Sequence, residues 1–210
     1  MKVAILGGTG SFGRALAVRL VAAGGDEVVI GSRDESRARA AASELGRGVT
    51  GATNDRAVAG VDLAVLAVKA DGALDTAEEV AVALGETPLL SVASNLTFTP
   101  AGVLPDPEAR SLAERVQDVV AGPVVAGLHS IAASNLGEEA PEEDAFVCGD
   151  DAVAKALALE LAAKLVAGRA LDVGPLASAR TLEGLTAVIV NLNRRYKAHA
   201  GIAVTGVRRA

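Results

Sequence analysis

Four glycines fall within seven positions near the start of the chain, after a short apolar run and before residues with helical periodicity. The segment from Gly8 to Gly13 matches G-x-G-x-x-G in the strand-to-helix context that this pattern requires. In such a turn Gly8 permits a tight bend, Gly10 lets a pyrophosphate approach the backbone, and Gly13 lets the helix pack against the strand. Amide groups at the helix start would face the anion. The alternative is a glycine turn without a ligand, but the context favours a dinucleotide site formed by Gly8, Thr9, Gly10, Ser11, Phe12 and Gly13.

The order of apolar segments along the chain predicts the fold class. Strand-like runs lie at residues 3–6, 27–30, 62–68, 88–92, 124–125, 146–148 and 170–173, and helical patterns at 11–23, 34–45, 71–84, 151–165 and about 176–200. Alternating strands and helices with short connections indicate a parallel sheet covered on both faces. We therefore expect an α/β protein with a Rossmann-type doubly wound parallel sheet and a smaller C-terminal α/β lobe. The expected division is a nucleotide-binding domain at 1–122 and a smaller domain at 123–210.

Composition limits the core and the partners of this chain of 210 residues. Half of the residues are apolar but only 2% are aromatic, so the core has to be built from alanine, valine, leucine and isoleucine. The net charge of −6 argues against nucleic acid or a membrane surface as a partner. The single cysteine, Cys148, fits a cytoplasmic compartment, and with only two histidines the chain offers no His or Cys cluster for a metal.

The end of the second predicted strand indicates which dinucleotide is bound. NAD sites usually carry an acidic residue there for the ribose 2′-hydroxyl. This strand instead ends in Ser32-Arg33, and Arg37 follows one helical turn later. A hydroxyl and two guanidinium groups suit the dianion of a 2′-phosphate, so we expect NADP. The alternative is that both arginines are solvated residues paired with Asp34 or Glu35.

Four segments resemble the NADPH:coenzyme F420 oxidoreductase family: AILGGTGSFGRALAVRL, VVIGSR, VCGDD and ALDVGPLASARTLEGLTAVIVNLN. The likeness extends from Met1 to about Asn193, and its most selective part is the last segment. The resemblance implies hydride transfer between NADPH and the deazaflavin coenzyme F420, in a homodimer. It also implies that the deazaflavin lies against the nicotinamide in the cleft between the two domains. The loop after the strand at 124–125 would contribute His129, Ser130, Ile131, Ala132 and Ala133 to that cleft.

Hydride transfer between two bound rings needs little from protein side chains, because the cofactors carry the reactivity and the protein holds them together. Small residues at two predicted strand ends would leave a slot for flat rings. The titratable residue expected at the cleft is His129, which would contact a ring or a phosphate, polarise a carbonyl, or only cap a strand end. Further contacts with NADP are expected from Ala67, Val68, Lys69, Ser91 and Ala93.

Two positions depart from the family pattern. Relatives often carry Pro-Trp where this chain has Lys69-Ala70, and proline where this chain has Ala132. Both positions would face the rings. Two other functions therefore stay open, namely an NADP-dependent reductase of another flavin or a small imine or ketone, and a non-catalytic NADP sensor.

Charged segments outside the predicted site allow simpler interpretations. The acidic residues at 138–144 predict an exposed loop or a mobile flap over the cleft. Asp150 and Asp151 are expected to cap the following helix. A basic group at the C-terminal end would either steer the anionic deazaflavin tail or complement a helix dipole, and it consists of Arg194, Arg195, Lys197, Arg208 and Arg209.

Overall fold

The computed structural model describes residues 1–46 and 48–207. Its strands are β1 (Lys2–Leu6), β2 (Glu27–Ser32), β3 (Val49–Thr53), β4 (Leu63–Leu66), β5 (Leu89–Ser91), β6 (Leu96–Thr99), β7 (Gly102–Pro105), β8 (Val124–Gly127), β9 (Ala145–Gly149) and β10 (Ala170–Asp172). Its α-helices are α1 (Ser11–Ala23), α2 (Glu35–Leu45), α3 (Asn54–Ala57), α4 (Ala73–Leu84), α5 (Leu112–Gln117), α6 (Ala152–Leu165) and α7 (Ala179–Tyr196). Single turns of 3₁₀-helix occur at Ala70–Gly72, Ala133–Asn135 and Leu176–Ser178.

Eight strands form one mixed sheet in the order β10-β9-β8-β5-β4-β1-β2-β3. The six strands from β8 to β3 are parallel, which confirms the predicted Rossmann-type arrangement. The last two depart from the expected all-parallel sheet, because β9 runs antiparallel to β8 and β10 runs parallel to β9. The connection from β8 to β9 contains only a 3₁₀ turn. Without a crossover helix to return the chain to the other end of the sheet, β9 starts where β8 stops.

The alternation of side chains along β1 divides the core into two layers. Val3 and Ile5 pack with residues of α1, α2 and α6 on one face of the sheet. Ala4 and Leu6 pack with residues of α4, α5 and α7 on the other face. Burial of each valine, leucine or isoleucine side chain contributes roughly 1.5–3 kcal/mol. Helices on both faces explain why the central strands are almost continuously apolar.

Small residues let α2 approach β3 closely. The buried face of α2 consists of Ala38, Ala41 and Ala42, and a Cβ atom on Gly51 would overlap the backbone of Ala38. This contact holds β3 against the edge of the sheet, where Thr53 lies level with Ser32 of β2. The ends of β2 and β3 therefore open on the same side of the molecule.

Four elements were not predicted from the sequence pattern: β3, α3, α5 and the antiparallel hairpin of β6 and β7. They are short, and β3 has the sequence VTGAT with little apolar area. The last helix is also shorter than expected. It ends at Tyr196 rather than near Ala200, because Lys197 adopts a left-handed conformation with φ 51° and ψ 47°.

The proposed division after residue 122 stays a prediction. The strand that opens the second part, β8, pairs directly with β5 of the first part, with Leu90 level with Val125. The sheet is thus continuous across the expected boundary. Within the described ranges, no helix is both long and apolar enough to cross a bilayer.

Side chains of α7 hold α5 and the hairpin in place. The buried carboxylate of Glu183 accepts hydrogen bonds from the backbone N–H groups of Leu112 (3.1 Å) and Ala113 (3.2 Å) at the start of α5. Burial raises the pKa of Glu183 above its ordinary value. About two turns further along α7, the side-chain amide of Asn191 accepts a hydrogen bond from the backbone N–H of Val103 (2.9 Å) and donates one to the Val103 carbonyl (2.7 Å).

The segment 138–144 is not the wholly exposed acidic loop that was expected. Its last residues, Glu143 and Asp144, are buried. The Asp144 carboxylate pairs with the Arg169 guanidinium and accepts a hydrogen bond from the N–H of Val204 at 2.7 Å. These contacts hold the pKa of Asp144 at about 2, with the Arg169 hydrogen bond as the largest cause. Residues 143–144 therefore anchor the C-terminal segment against the start of β9, and the alternative of a mobile flap formed by this segment stays a prediction.

Candidate functional site

A cleft of about 780 Å³ opens at the carboxyl ends of β1, β2 and β4. Ligand sites of open α/β sheets occur at this edge. Predicted cofactor residues in its lining are Thr9, Gly10, Ser11, Phe12, Ser32, Arg33, Arg37, Ala67, Val68 and Lys69. Residues that were not predicted also line it, and these are Gly7, Asp34, Asn54, Asp71, Gly72, Asp75, Thr76 and Glu79.

The glycine turn after β1 is packed too tightly for side chains. Gly7 has a left-handed φ of 76°, and a Cβ atom there would lie 2.6 Å from Cγ1 of Val68. The conformational freedom assigned to Gly8 is therefore required at Gly7, while Gly8 is confined by the carbonyl of Ile5, 2.9 Å from the position of its missing Cβ. A Cβ on Gly13 would lie 2.7 Å from the Gly7 carbonyl, as expected for close packing of helix and strand. Gly8 and Gly13 shape the turn without lining the cleft.

The first turn of α1 leaves its backbone donors available. Its N-cap is Gly10, which has no capping side chain, and the turn contains no acidic residue. By contrast, α2, α5 and α6 are capped by the side chains of Asp34, Ser111 and Asp151. Free N–H groups and the positive end of the helix dipole favour an anion at this position. A pyrophosphate in the cleft would find its donors here.

The two predicted arginines form no ion pair within the described part of the chain. Among the described residues, no carboxylate lies within 4 Å of the guanidinium of Arg33 or Arg37. Asp34 is occupied as the cap of α2, and Glu35 pairs with Arg39 at 2.7 Å. Neither Asp34 nor Glu35 forms an ion pair with Arg33 or Arg37, although the charge of Arg37 contributes to lowering the pKa of Asp34. Both guanidinium groups are free to bind an anionic ligand.

The opposite wall of the cleft is acidic. Asp71 precedes α4, and Asp75 and Glu79 follow at intervals of four residues, which places them on one face of the helix. This spacing is visible in the sequence and could have indicated the wall. A phosphate is repelled by this wall and attracted to Arg33 and Arg37, so the charges orient an asymmetric anion in the cleft.

A second group of predicted residues lies at the ends of β5 and β8, outside this cleft. Ser91 and His129 are buried, and the Ser91 hydroxyl and both His129 ring nitrogens lack well-aligned hydrogen-bond partners within the described residues. Burial lowers the pKa of His129 to about 4, an effect that the Ala93 backbone opposes. Buried polar atoms without partners are uncommon in folded proteins. Their concentration at two adjacent strand ends indicates a place where a ligand would complete the hydrogen bonding.

The loop after β8 is held in a strained conformation. Leu128 is buried and has a φ of 66°, in the left-handed region that favours glycine. The carbonyl of the next residue, His129, accepts a hydrogen bond from the Thr186 hydroxyl of α7 at 2.8 Å. The Thr186 hydroxyl also lies 2.7 Å from that of Ser94, which follows β5. The loops after β5 and β8 are thus tied together through α7.

The two groups of residues are close enough to serve one extended ligand. Neighbouring strands lie about 4.8 Å apart, and β8 is two strands from β4, so their ends are separated by roughly 10 Å. Ser130 and Ile131 are buried, and the Ser130 hydroxyl donates to the Asp144 carbonyl at 3.2 Å. Ala132 and Ala133 are only partly buried, so they are more accessible to a ligand than Ser130 and Ile131.

Other charged and reactive residues have structural roles. Cys148 is fully buried and burial raises its pKa to about 11, so the thiol stays protonated. Asp151 caps α6 as predicted, whereas Asp150 accepts from the N–H of Leu176 at 3.0 Å. No three His, Cys, Asp or Glu residues of the described part converge on a common point. In the basic group, Arg194 and Arg195 lie in the last turn of α7; Arg208 and Arg209 lie outside the described residues.

Comparisons with known proteins give a consistent relationship. Residues 2–95 match the family described as NADP oxidoreductase coenzyme F420-dependent. Proteins named F420-dependent NADP reductase from Methanothermobacter thermautotrophicus and Methanothermobacter marburgensis are each 34% identical, cover 99% of this chain, and are themselves covered to 96% and 99%. A crystal structure of an Arthrobacter sp. FB24 protein, presented as a candidate F420-dependent NADP reductase, has a TM-score of 0.82 at 28% identity. It covers 99% of this chain and 100% of its own.

We expect His129 to make the protein acid-sensitive. Its pKa of about 4 in the fold lies below the unfolded value of about 6.5, so the unfolded chain binds the proton more tightly. The contribution is complete above pH 6.5 and is lost as the pH falls towards 4, by roughly 3 kcal/mol in the free energy of unfolding. Denaturant titrations at several pH values should show this loss in the wild type and a smaller loss in His129→Gln.

His199 is exposed and provides the matched control for that measurement. His199→Gln should keep the wild-type dependence of unfolding free energy on pH. Identical dependences in wild type and His129→Gln would contradict the assignment of the buried neutral imidazole.

Proposed function

The chain belongs to the family of coenzyme F420-dependent NADP oxidoreductases, and we propose that it transfers a hydride between NADPH and coenzyme F420. Membership rests on identities of 34% over nearly the whole of this chain and of its relatives. The observation that carries the function is the cleft itself, which has uncapped helix amides and two guanidinium groups without an ion pair among the described residues, beside strand ends whose polar atoms lack well-aligned partners there.

The residues of the cleft fit NADP. The pyrophosphate would bind at Gly10, Ser11 and Phe12, where Gly10 has no side chain and the uncapped amides of the first helical turn are available as donors. The 2′-phosphate would bind Arg33 and Arg37, whose guanidinium groups have no carboxylate partner among the described residues. The nicotinamide would then extend past Ala67 and Val68 towards the ends of β5 and β8.

The deazaflavin would bind at the loop after β8. His129 and Ser91 offer polar atoms without well-aligned partners among the described residues, and Ala132 and Ala133 offer a small apolar surface for a flat ring. NADPH would supply the hydride, and the deazaflavin would accept it together with one proton. The role of the protein is to hold the two rings at reacting distance and to exclude water. The neutral His129 side chain would orient a ring through a hydrogen bond rather than carry a positive charge.

A second candidate function follows from Lys69, which lines the cleft where the nicotinamide ring would begin. An ammonium group there would suit an anionic substrate, so a different NADP-dependent reductase is the competing function. Proteins that bind NADP as a sensor would share the cleft but not the hydride acceptor.

We further propose a homodimer formed by the second part of the chain, residues 123–210, with help from the β6–β7 hairpin. Large apolar side chains are exposed on α7 and on the adjoining hairpin, and they are Val188, Leu192, Tyr196, Phe98 and Leu104. Three of them repeat every four residues along α7, which is the spacing of a packing face. A second copy of the chain would cover this face.

The net charge of −6 and the lone buried thiol support a cytoplasmic protein without a nucleic acid partner.

Mixing the purified protein with NADPH and oxidised coenzyme F420 should bleach the visible absorbance of the deazaflavin, with one NADPH consumed per deazaflavin. The reaction needs no third component, because the two cofactors exchange the hydride directly. Parallel assays with FMN and FAD provide the control. Activity with a flavin and none with deazaflavin would favour the second candidate, and NADPH binding without any acceptor would favour the sensor.

Arg33→Ala should raise the Kd of NADPH by roughly ten- to a hundredfold, because a charge-assisted hydrogen bond to the 2′-phosphate contributes about 1.5–3 kcal/mol. The Kd of NADH should stay within about twofold of the wild-type value. Titrations of dinucleotide fluorescence measure both constants. Arg39→Ala is the control, since Arg39 lies nearby on α2 but pairs with Glu35. Equal effects of Arg33→Ala on both dinucleotides would contradict the assignment.

Leu192→Glu should convert the dimer to monomers, because it places a charge in the centre of the exposed stripe of α7. Sedimentation equilibrium gives the mass directly. Val82→Glu is the control, since Val82 is 97% exposed on α4, away from the stripe. A wild-type protein that sediments with the mass of one chain would exclude the proposed dimer.

A further inference from the structure

Lys69 is an exposed cation in the lining of the cleft. Among the described residues, the lysines that form ion pairs are Lys155 and Lys164, and no side-chain hydrogen bond involves Lys69. Asp71 and Asp75 line the same cleft, yet neither carboxylate lies within 4 Å of the Lys69 ammonium nitrogen. An ammonium group on a flexible four-carbon stem is therefore available to interact with a bound ligand.

The strand order places Lys69 and the two arginines on opposite sides of the glycine turn. In the sheet, β1 lies between β2 and β4. Arg33 follows β2 directly, whereas Lys69 follows β4 after Ala67 and Val68. Neighbouring strands lie about 4.8 Å apart, so the ends of β2 and β4 are separated by roughly 10 Å. The turn that follows β1 lies between them.

The chain that leads from β4 to Lys69 runs directly along the glycine turn. The backbone N–H of Ala67 donates to the carbonyl of Leu6 at 2.9 Å, and a Cβ atom on Gly7 would lie 2.6 Å from Cγ1 of Val68. Lys69 comes next, with an extended backbone of φ −65° and ψ 153°. Its side chain therefore starts beside the position assigned to the pyrophosphate, on the side away from Arg33.

The ligand group on that side follows from the covalent order of the dinucleotide, and this step rests on the proposed binding of NADP. With the 2′-phosphate at Arg33 and Arg37 and the pyrophosphate at the start of α1, the adenosine half lies on the β2 side. The nicotinamide riboside is joined to the other end of the pyrophosphate and extends towards β4. Lys69 thus lies on the side of the nicotinamide ring.

The nicotinamide ring changes its charge during the reaction. The neutral dihydropyridine ring of NADPH gives up a hydride, which is one hydrogen nucleus with two electrons, and becomes the pyridinium cation of NADP⁺. The pyrophosphate and the 2′-phosphate are the same in both forms. A fixed charge near the ring therefore distinguishes the two forms, while contacts with the phosphates do not.

We infer that the ammonium group of Lys69 selects the reduced form of the dinucleotide, because it repels the pyridinium cation of NADP⁺ but not the neutral ring of NADPH. Lys69 acts through its charge and takes no part in the transfer of the hydride itself. On the protein, the equilibrium of hydride transfer is shifted towards NADPH by the ratio of the two affinities, while the equilibrium in solution is unchanged. The carboxylates of Asp71 and Asp75 act in the opposite sense and are the same in wild type and in variants of Lys69, so those variants isolate the effect of the ammonium group.

Lys69→Met removes the charge at nearly the same side-chain length. The ratio of the Kd of NADP⁺ to the Kd of NADPH should fall by about three- to tenfold, as expected for unit charges roughly 8 Å apart in a partly solvated cleft. Lys69→Arg keeps the charge and should keep the wild-type ratio. Nicotinamide fluorescence measures the Kd of NADPH directly, and displacement of NADPH measures that of NADP⁺.

Arg33→Ala is the matched control, because it removes a cation from the other side of the glycine turn. It should raise both constants together and leave their ratio within about twofold of the wild-type value, since its charge is more than a Debye length from the ring. Salt provides a readout that altered packing would not move. The difference in ratio between wild type and Lys69→Met should diminish between about 20 mM and about 500 mM salt, because the Debye length falls below the separation of the charges.

Two results would overturn the inference while the proposed binding of NADP stands. An equal loss of affinity for NADPH and NADP⁺ in Lys69→Met would assign Lys69 to a phosphate group instead. Unchanged constants for both forms would show that Lys69 does not act on the dinucleotide. A wild-type protein that binds neither NADPH nor NADP⁺ would remove the proposed function as well.

Discussion

Three stretches of backbone meet at the end of β1 with no space for a side chain between them. The glycine turn, the end of β4 and the first turn of α1 approach so closely that a Cβ atom on Gly7 or Gly13 would lie within 2.8 Å of neighbouring atoms. This contact fixes where α1 starts and therefore where its uncapped amides point. The cleft lies directly above it, and its two charged walls are carried by the elements on either side. The rest of the site depends on this close packing being kept.

Most of the parallel sheet could be predicted because its strands are buried on both faces and thus read as apolar runs. The edge elements could not, since β3 has one strand neighbour and the weakly apolar sequence VTGAT. Missing β3 also meant missing Asn54, which β3 brings to the cleft. For α5 a usable signal was present, because Ser111 and Glu114 form a capping box in the structure. The reversal of β9 left no trace in the sequence, because a buried strand is apolar in either direction.

Contacts between distant segments account for the remaining differences. The Glu183 carboxylate of α7 accepts hydrogen bonds from backbone N–H groups at the start of α5, about seventy residues away in the chain. Arg169 forms an ion pair with Asp144, which is 25 residues away in the chain. No local pattern distinguishes these charged residues from solvated ones. The glycine pattern, by contrast, was informative because its chemistry is local: the turn, the helix start and Arg33 follow one another within one strand-helix-strand unit. The positions of Ser91 and His129 were predicted by order along the chain, while their lack of partners emerged only from packing.

The left-handed backbone of Leu128 has a consequence for how this protein can change by mutation. A side chain in that conformation is disfavoured by roughly 1–2 kcal/mol, yet the leucine is buried and its packing offsets the strain. Glycine would relax the backbone but vacate the core, and a β-branched residue would fill the core at still greater strain. Either single substitution is therefore expected to lower the stability of the fold. The loop that presents His129 is held at a local optimum, from which evolution can depart only through paired changes in the loop and in the residues packed against it.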